Sequence, residues 1–200
     1  LWIGTSKGIN RLKDGRLTTF TTRDGLLADT VRQLLEDRAG SLWLVTPKGL
    51  NRMKDGALTS LTVGDGLLSD TVKHLFEDRE GSLWVASALG LNRLKNSDVS
   101  TFRKEDGAPW NVVSHLEDRE GTVWFGTTAG LYRFRNGALT SVTTKEGLFD
   151  DNVWAIVEDE RDNLWMGCNR GIFRASRKEL NDVADGKAKS PMSLSPSSGM

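Results

Sequence analysis

Apolar residues along the chain gather in short runs of five or six, such as "VRQLLE", "LWLVT", "LNRMK" and "LTSLT" between residues 31 and 62. Each run is rich in β-branched or large apolar residues and is bounded by Gly, Asp or Pro-Lys-Gly. That pattern predicts strands joined by tight turns; helical spacing fits none of the runs. Four runs make a unit, and the unit recurs. Trp2, Trp43, Trp84, Trp124 and Trp165 lie 41, 41, 40 and 41 residues apart. Two positions after each Trp comes Gly4, Val45, Ala86, Gly126 or Gly167. A glycine, a branched apolar residue and an arginine follow, the arginines being Arg11, Arg52, Arg93, Arg133 and Arg174. The next inner run starts at Val31, Val72, Val112 or Val153. Four strands in such a unit are the signature of a β-propeller blade. The fold class expected is therefore all-β, a partial β-propeller of about five four-stranded antiparallel blades. The blades are expected at about 1–20, 31–62, 72–102, 112–143 and 153–176, the first without its inner strand.

Within the unit, "EDREGSLW" at 77–84 returns as "EDRAGSLW" at 36–43, "EDREGTVW" at 117–124 and "EDERDNLW" at 158–165. A Glu-Asp pair can do acid–base work, but turn chemistry explains it better. Asp at the first and Gly at the fourth place of a tight turn close a hairpin, the Asp bonding its own backbone. Asp37, Asp78 and Asp118 are expected in that role; "DERD" lacks the Gly and should turn less cleanly. The Trp beyond the turn should point between blades, and the small residue on the same strand face should leave room for a neighbour's ring. Burying one indole removes about 150–250 Å² from water, worth about 4–6 kcal/mol as an upper figure.

Charge and cysteine content narrow the function classes. Lys plus Arg and Asp plus Glu each number 27, so the net charge is zero. The basic footprint of a nucleic-acid binder is missing, and no nucleic-acid partner is expected. The single cysteine, Cys168, permits no internal disulfide and is expected to be buried. His74 and His115 sit at different registers of equivalent strands, so their rings should face opposite sides. No metal site, cofactor or catalytic residue is expected. No apolar run approaches the length of a membrane span. The chain opens within a repeat and without Met, as expected of a piece of a longer protein. After Ser176, "RKELNDVADGK" reads as a short helix or turn, and the Ser/Pro-rich stretch after it reads as linker. Residues 177–200 are expected as an incomplete outer strand or linker, poorly ordered alone.

The recurring pattern "GL…V…(L/V)EDR.G.LW.GT..GL.R" resembles the two-component regulator propeller repeat, over residues 1 to about 176. The resemblance implies a seven-bladed propeller in the intact protein, of which this chain would be a part. It implies the periplasmic or extracytoplasmic sensor portion of a bacterial inner-membrane protein. A histidine kinase or diguanylate cyclase would form the output domain. It also implies saccharides or related signals as the ligand, and no catalysis by the propeller itself. Partners expected are such a small ligand, the other blades and domains of the same polypeptide, and a second copy in a homodimer.

Copies within one chain show which positions are free to specialise. The inner strands differ most near their starts, at Arg32, Lys73, Val113 and Trp154, and then at Gln33, His74, Ser114 and Ala155. Among the loops, Trp110 and Asn111 replace "LLSD", and Phe149, Asp150 and Asp151 stand out. An aromatic beside polar groups suits stacking on a sugar. The candidate ligand-binding residues are Trp110, Asn111, Phe149, Asp151, Trp154, Arg32, Lys73, His74, Lys48 and Arg170. A propeller glycosidase or lyase is one alternative. "D-x-x-G-x-x-W" is similar to the Asp-box turn of sialidases, with one residue too many. An interaction scaffold is the other alternative.

Overall fold

Period-two strands with turn residues at fixed offsets give five antiparallel sheets in the computed structural model, which describes residues 1–96 and 98–190. The first sheet holds β1 (Trp2–Thr5), β2 (Gly8–Lys13) and β3 (Arg16–Phe20). The second holds β4 (Gln33–Glu36), β5 (Leu42–Thr46), β6 (Gly49–Lys54) and β7 (Ala57–Leu61). The third holds β8 (Val72–Glu77), β9 (Leu83–Ser87), β10 (Gly90–Lys95) and β11 (Asp98–Arg103). The fourth holds β12 (Val112–Glu117), β13 (Val123–Thr127), β14 (Gly130–Arg135) and β15 (Ala138–Val142). The fifth holds β16 (Ala155–Glu158), β17 (Asn163–Cys168) and β18 (Gly171–Ser176), followed by the helix α1 (Arg177–Ala184). In every sheet the strands lie side by side in chain order. This is a partial β-propeller, each sheet a blade. Residues 1–103 form one compact unit holding blades one to three, and residues from 104 onward form a second with blades four, five and α1.

Within each unit the core lies between successive blades. In the first unit, Ile9 and Val31 pack with Leu42, Leu44 and Met53, and Trp43, Val45 and Leu50 pack with Val72, Leu75, Leu83 and Val85. In the second, Trp124, Leu131 and Val142 pack with Val153, Ile156, Leu164 and Met166.

The repeated "ED" turn uses both carboxylates for structure. Asp Oδ1 accepts from the backbone N–H four residues on, in Asp37–Ser41, Asp78–Ser82, Asp118–Thr122 and Asp159–Asn163, at 2.7 to 2.9 Å. Asp Oδ2 accepts the indole Nε1–H of Trp43, Trp84, Trp124 or Trp165, each at 2.8 Å. The Asp thus caps its own turn and also satisfies the one polar atom of the indole. The Glu before it reaches the preceding blade. Glu77 Oε2 accepts from Arg38 N at 3.0 Å, and Glu158 Oε2 from Arg119 N at 2.9 Å. In the glycine-free fourth copy Asp162 takes the left-handed place with φ 59°, which Asp tolerates.

Each Trp lies directly across from the repeat arginine: Trp2 from Arg11, Trp43 from Arg52, Trp84 from Arg93, Trp124 from Arg133 and Trp165 from Arg174. Four of these guanidinium groups stand 5.3 to 5.5 Å from the indole centroid, within cation–π range. Trp84 and Trp124 are fully buried and Trp43 nearly so, whereas Trp2 and Trp165 are half-covered. All five rings were expected between blades, but no blade follows Trp165 among the described residues, and Trp2 faces a groove.

The small residue after the Trp admits a valine of the next blade rather than a ring. A Cβ on Gly126 would meet Val153 O at 2.5 Å and Ser114 Oγ at 2.2 Å, and one on Gly4 would meet Val31 Cγ1 at 3.1 Å. The valine backbone bonds back to the earlier blade, Val31 N to Thr5 O and Val153 N to Thr127 O. That crossing explains why β4 and β16 begin two residues later than their hydrophobic runs.

The stretch after β18 forms the short helix that "RKELNDVADGK" suggests, rather than the incomplete outer strand also expected there. Residues 177–184 form a helix because Leu180 and Val183 share one face and Asp185-Gly186, with φ 71° at Gly186, ends it. Both side chains enter the core cluster of the second unit. Arg177, nearly buried, pairs with Glu120 at 3.1 Å, Glu158 at 3.2 Å and Asp162 at 3.1 Å. The remaining Ser/Pro-rich stretch, 191–200, lies outside the described residues.

Candidate functional site

Loops that carry the candidate residues are built by a repeated scaffold. After the outer strands β3, β7 and β15, Thr21, Thr62 or Thr143 caps a single 3₁₀ turn through a box with Asp24, Asp65 or Glu146. Asp29, Asp70 and Asp151 then accept from Thr22 N, Val63 N and Thr144 N, each at 2.7 Å. Asp151 is therefore a structural clamp, aligned with Asp29 and Asp70, and not the pattern break that its neighbours suggest. Its backbone carbonyl accepts from Gly130 N at 2.7 Å, as Asp29 O does from Gly8 N at 2.6 Å. These bonds bring the loop after an outer strand beside the loop between second and third strands of the same blade.

Two further positions explain the odd loops. Asn51 and Asn92, buried, each grip the preceding loop through Leu27 N and Gly25 O, or Leu68 N and Gly66 O. The same register holds Tyr132 in blade four and Phe173 in blade five. Without the carboxamide, the loops before those blades take other residues. Phe149 packs on Phe173 with centroids 5.4 Å apart and ring planes tilted by 42°, partly buried against the core. Burial, with the Asp151 charge adding to it, pushes the Tyr132 hydroxyl above its ordinary pKa. Sequence reasoning missed this exchange, although the Asn-to-aromatic change is visible in the repeat.

In the second unit the geometry gathers Phe149, Trp154 and Arg170, together with Asn169, which the sequence reading did not single out. Trp154 is 43% exposed, and its Nε1–H donates to Asn169 Oδ1 at 2.8 Å. The next residue, Arg170, lays its guanidinium 4.2 Å from the Phe149 ring centroid and donates from Nη1 to Phe149 O at 3.1 Å. The result is an exposed, fixed indole, with a carboxamide and a guanidinium on adjacent residues of one loop. Trp110 is half-buried with Lys104 Nζ 4.0 Å from its ring centroid, and Asn111 donates to Thr128 Oγ1 at 3.2 Å from a left-handed backbone, φ 55°. Cys168, expected to be buried, is only half-covered.

The candidates of the first unit lie on the second and third blades. Arg32, Lys73 and Lys48 are exposed. Lys73 is the extra residue of a β-bulge between Val72 and His74, a feature that re-aims side chains. His74 lies opposite Ala86, and burial holds its imidazole below the ordinary pKa, hence neutral at pH 7.

The comparisons with known proteins agree with this construction. A family model described as two component regulator propeller matches residues 66–88 and 147–170. No curated protein matches the chain. Among solved structures, the extracellular domain of BT4673, a hybrid two component system of B. thetaiotaomicron, is 24% identical with a TM-score of 0.63. The match covers 86% of this chain and 25% of that one. The extracellular domain of BT3049 from the same organism is 21% identical with a TM-score of 0.54, covering 90% of this chain and 31% of that one. Virginiamycin B lyase from Staphylococcus aureus is 16% identical with a TM-score of 0.60, covering 86% and 60%. At these identities the likeness is one of fold, and this chain spans about a quarter of the BT4673 domain. Two stretches match the two component regulator propeller model, and their pattern recurs at the Trp period through five blades of a propeller fold, so the chain is similar to two component regulator propeller repeats.

Proposed function

We propose that the chain is part of the ligand-sensing propeller of a membrane-bound signalling protein, facing the extracytoplasmic side and non-catalytic itself. The ligand class is saccharide, and its platform is Trp154 with Asn169 and Arg170. The observation that carries this reading is the exposed indole held edge-on by Asn169, at a position where other blades have Arg32, Lys73 and Val113. An indole 43% exposed beside two hydrogen-bonding side chains suits the apolar face and hydroxyl rim of a sugar. The alternative of a propeller enzyme draws support from the fold of the lyase, and that of a scaffold from the repeat itself. Against catalysis, the Asp of each of the four Glu-Asp pairs is committed to its turn and a Trp, which leaves that carboxylate no substrate to serve. Thermal-shift screening of neutral mono- and oligosaccharides tests the reading. A hit that raises the melting temperature of the chain and is lost in Trp154→Ala supports it. Hits that all survive that substitution exclude the platform.

A further inference from the structure

The turn between the third and outer strands has one geometry in blades one, two and four, and one chemical difference. Lys13 lies across from Arg16, Lys54 from Ala57 and Arg135 from Ala138, each pair closing a two-residue loop. Both loop residues have positive φ: 50° and 74° at Asp14-Gly15, 50° and 83° at Asp55-Gly56, 52° and 79° at Asn136-Gly137. That marks a type I′ turn, which Asp-Gly and Asn-Gly both favour. Asn136-Gly137 is the single Asn-Gly step of the sequence. Both residues are exposed, and among the described residues no hydrogen bond holds the Asn136 carboxamide or the Gly137 N–H. A Cβ on Gly137 would meet nothing within 4 Å, so the approach to its nitrogen is open.

We propose that Asn136-Gly137 is a deamidation site, at which the chain modifies its own blade-four turn. Gly137 N gives its proton to solvent base and bonds to Asn136 Cγ. The Cγ–Nδ2 bond breaks, and Nδ2 leaves as ammonia with protons from water. Water then opens the resulting five-membered imide. Cleavage of the new N–Cγ bond gives Asp; cleavage of the original peptide bond gives isoaspartate, whose backbone runs through the side chain. The ring holds the Asn136 ψ outside the left-handed well, so the reaction runs through a transiently open hairpin. Asn111 and Asn152 precede Val112 and Val153, whose β-branched side chains crowd the same attack. The two products differ in fit. Asp reproduces the turns of blades one and two, and it adds a negative charge to a groove lined by Arg133, Arg135, Asp185 and Lys187. Isoaspartate inserts a methylene into the backbone, and a two-residue turn cannot absorb it. The Arg135–Ala138 pairing is lost and β15 loosens from β14.

The test incubates the chain in mildly alkaline buffer beside a synthetic peptide of residues 133–140. Mass spectrometry follows the tryptic peptide of residues 136–145, with fragmentation that separates Asp from isoaspartate. Both products are expected at position 136 before any change at Asn111 or Asn152, and more slowly than in the free peptide. The charge-shifted forms are then separated by ion exchange and melted. The Asp form should melt with the Asn136→Asp variant and with the unaged chain, and the isoaspartate form at lower temperature. An intact 136–145 peptide after the free peptide has fully converted overturns the proposal, as does earlier conversion of Asn111 or Asn152. An isoaspartate form that melts with the Asp form overturns the assigned consequence for the turn.

Discussion

One aspartate per blade does the work that a catalytic pair would otherwise be credited with. Its two oxygens split between a turn N–H and an indole, so removing it exposes two donors at once. Asp78→Ala leaves the Trp84 Nε1–H buried without an acceptor, and a loss of about 2–4 kcal/mol is expected in urea unfolding. Asp159→Ala should cost less, because Trp165 is only half-covered and water can replace the carboxylate. These carboxylates also set the acid limit. The backbone N–H of Asn163, then the Trp165 indole, hold Asp159 well below the usual carboxylate range. At Asp37 burial pushes upward, but the indole of Trp43 and the Ser41 donors outweigh it and leave the value lowered. A carboxyl whose pKa is depressed on folding stabilises the fold above its unfolded pKa and loses that contribution as pH falls through the folded value. Stability should therefore drop on acidification below about pH 4, with a shallower drop in Asp159→Ala. A flat profile from pH 5 to pH 2 would contradict this.

Between elements, the joint is a backbone crossing in which a valine of one blade rests on the small residue of the blade before. The same repeat position therefore has opposite tolerances. Gly126→Ala drives a Cβ toward Val153 O, a backbone atom 2.5 Å away, and should cost about 1–3 kcal/mol. Gly167→Ala meets only Ala155 Cβ at 3.7 Å and should be neutral or slightly stabilising; thermal unfolding of the two variants checks the contrast. Strands, turns and the Trp period were legible because they depend on residues a few positions apart. The bond from Asp to indole was not, since six residues separate the two and no propensity encodes it. Nor was the reach of Glu77 to the turn of the preceding blade. Asp151 was misread as a specialised residue because two non-repeating neighbours hid its alignment with Asp29 and Asp70. A short helix or turn was legible in "RKELNDVADGK", but the docking of its Leu180–Val183 face into the core was not.

At the scale of the whole molecule, the proposed sensing role would need a ligand with different affinity for two states; this chain forms two compact units. The sequence reading preferred Trp110 and kept Phe149 and Trp154 as further candidates. Coordinates separate them: Lys104 covers one, Phe173 and Arg170 hold the second, and the third stands open. The central claim is that Trp154 is the sugar platform. Its most direct test is the indole N–H spectrum of the chain during titration with a saccharide hit. The account predicts that the Trp154 signal moves and saturates, while Trp84 and Trp124, both fully buried, stay still. A saturating titration in which Trp154 does not move would contradict it.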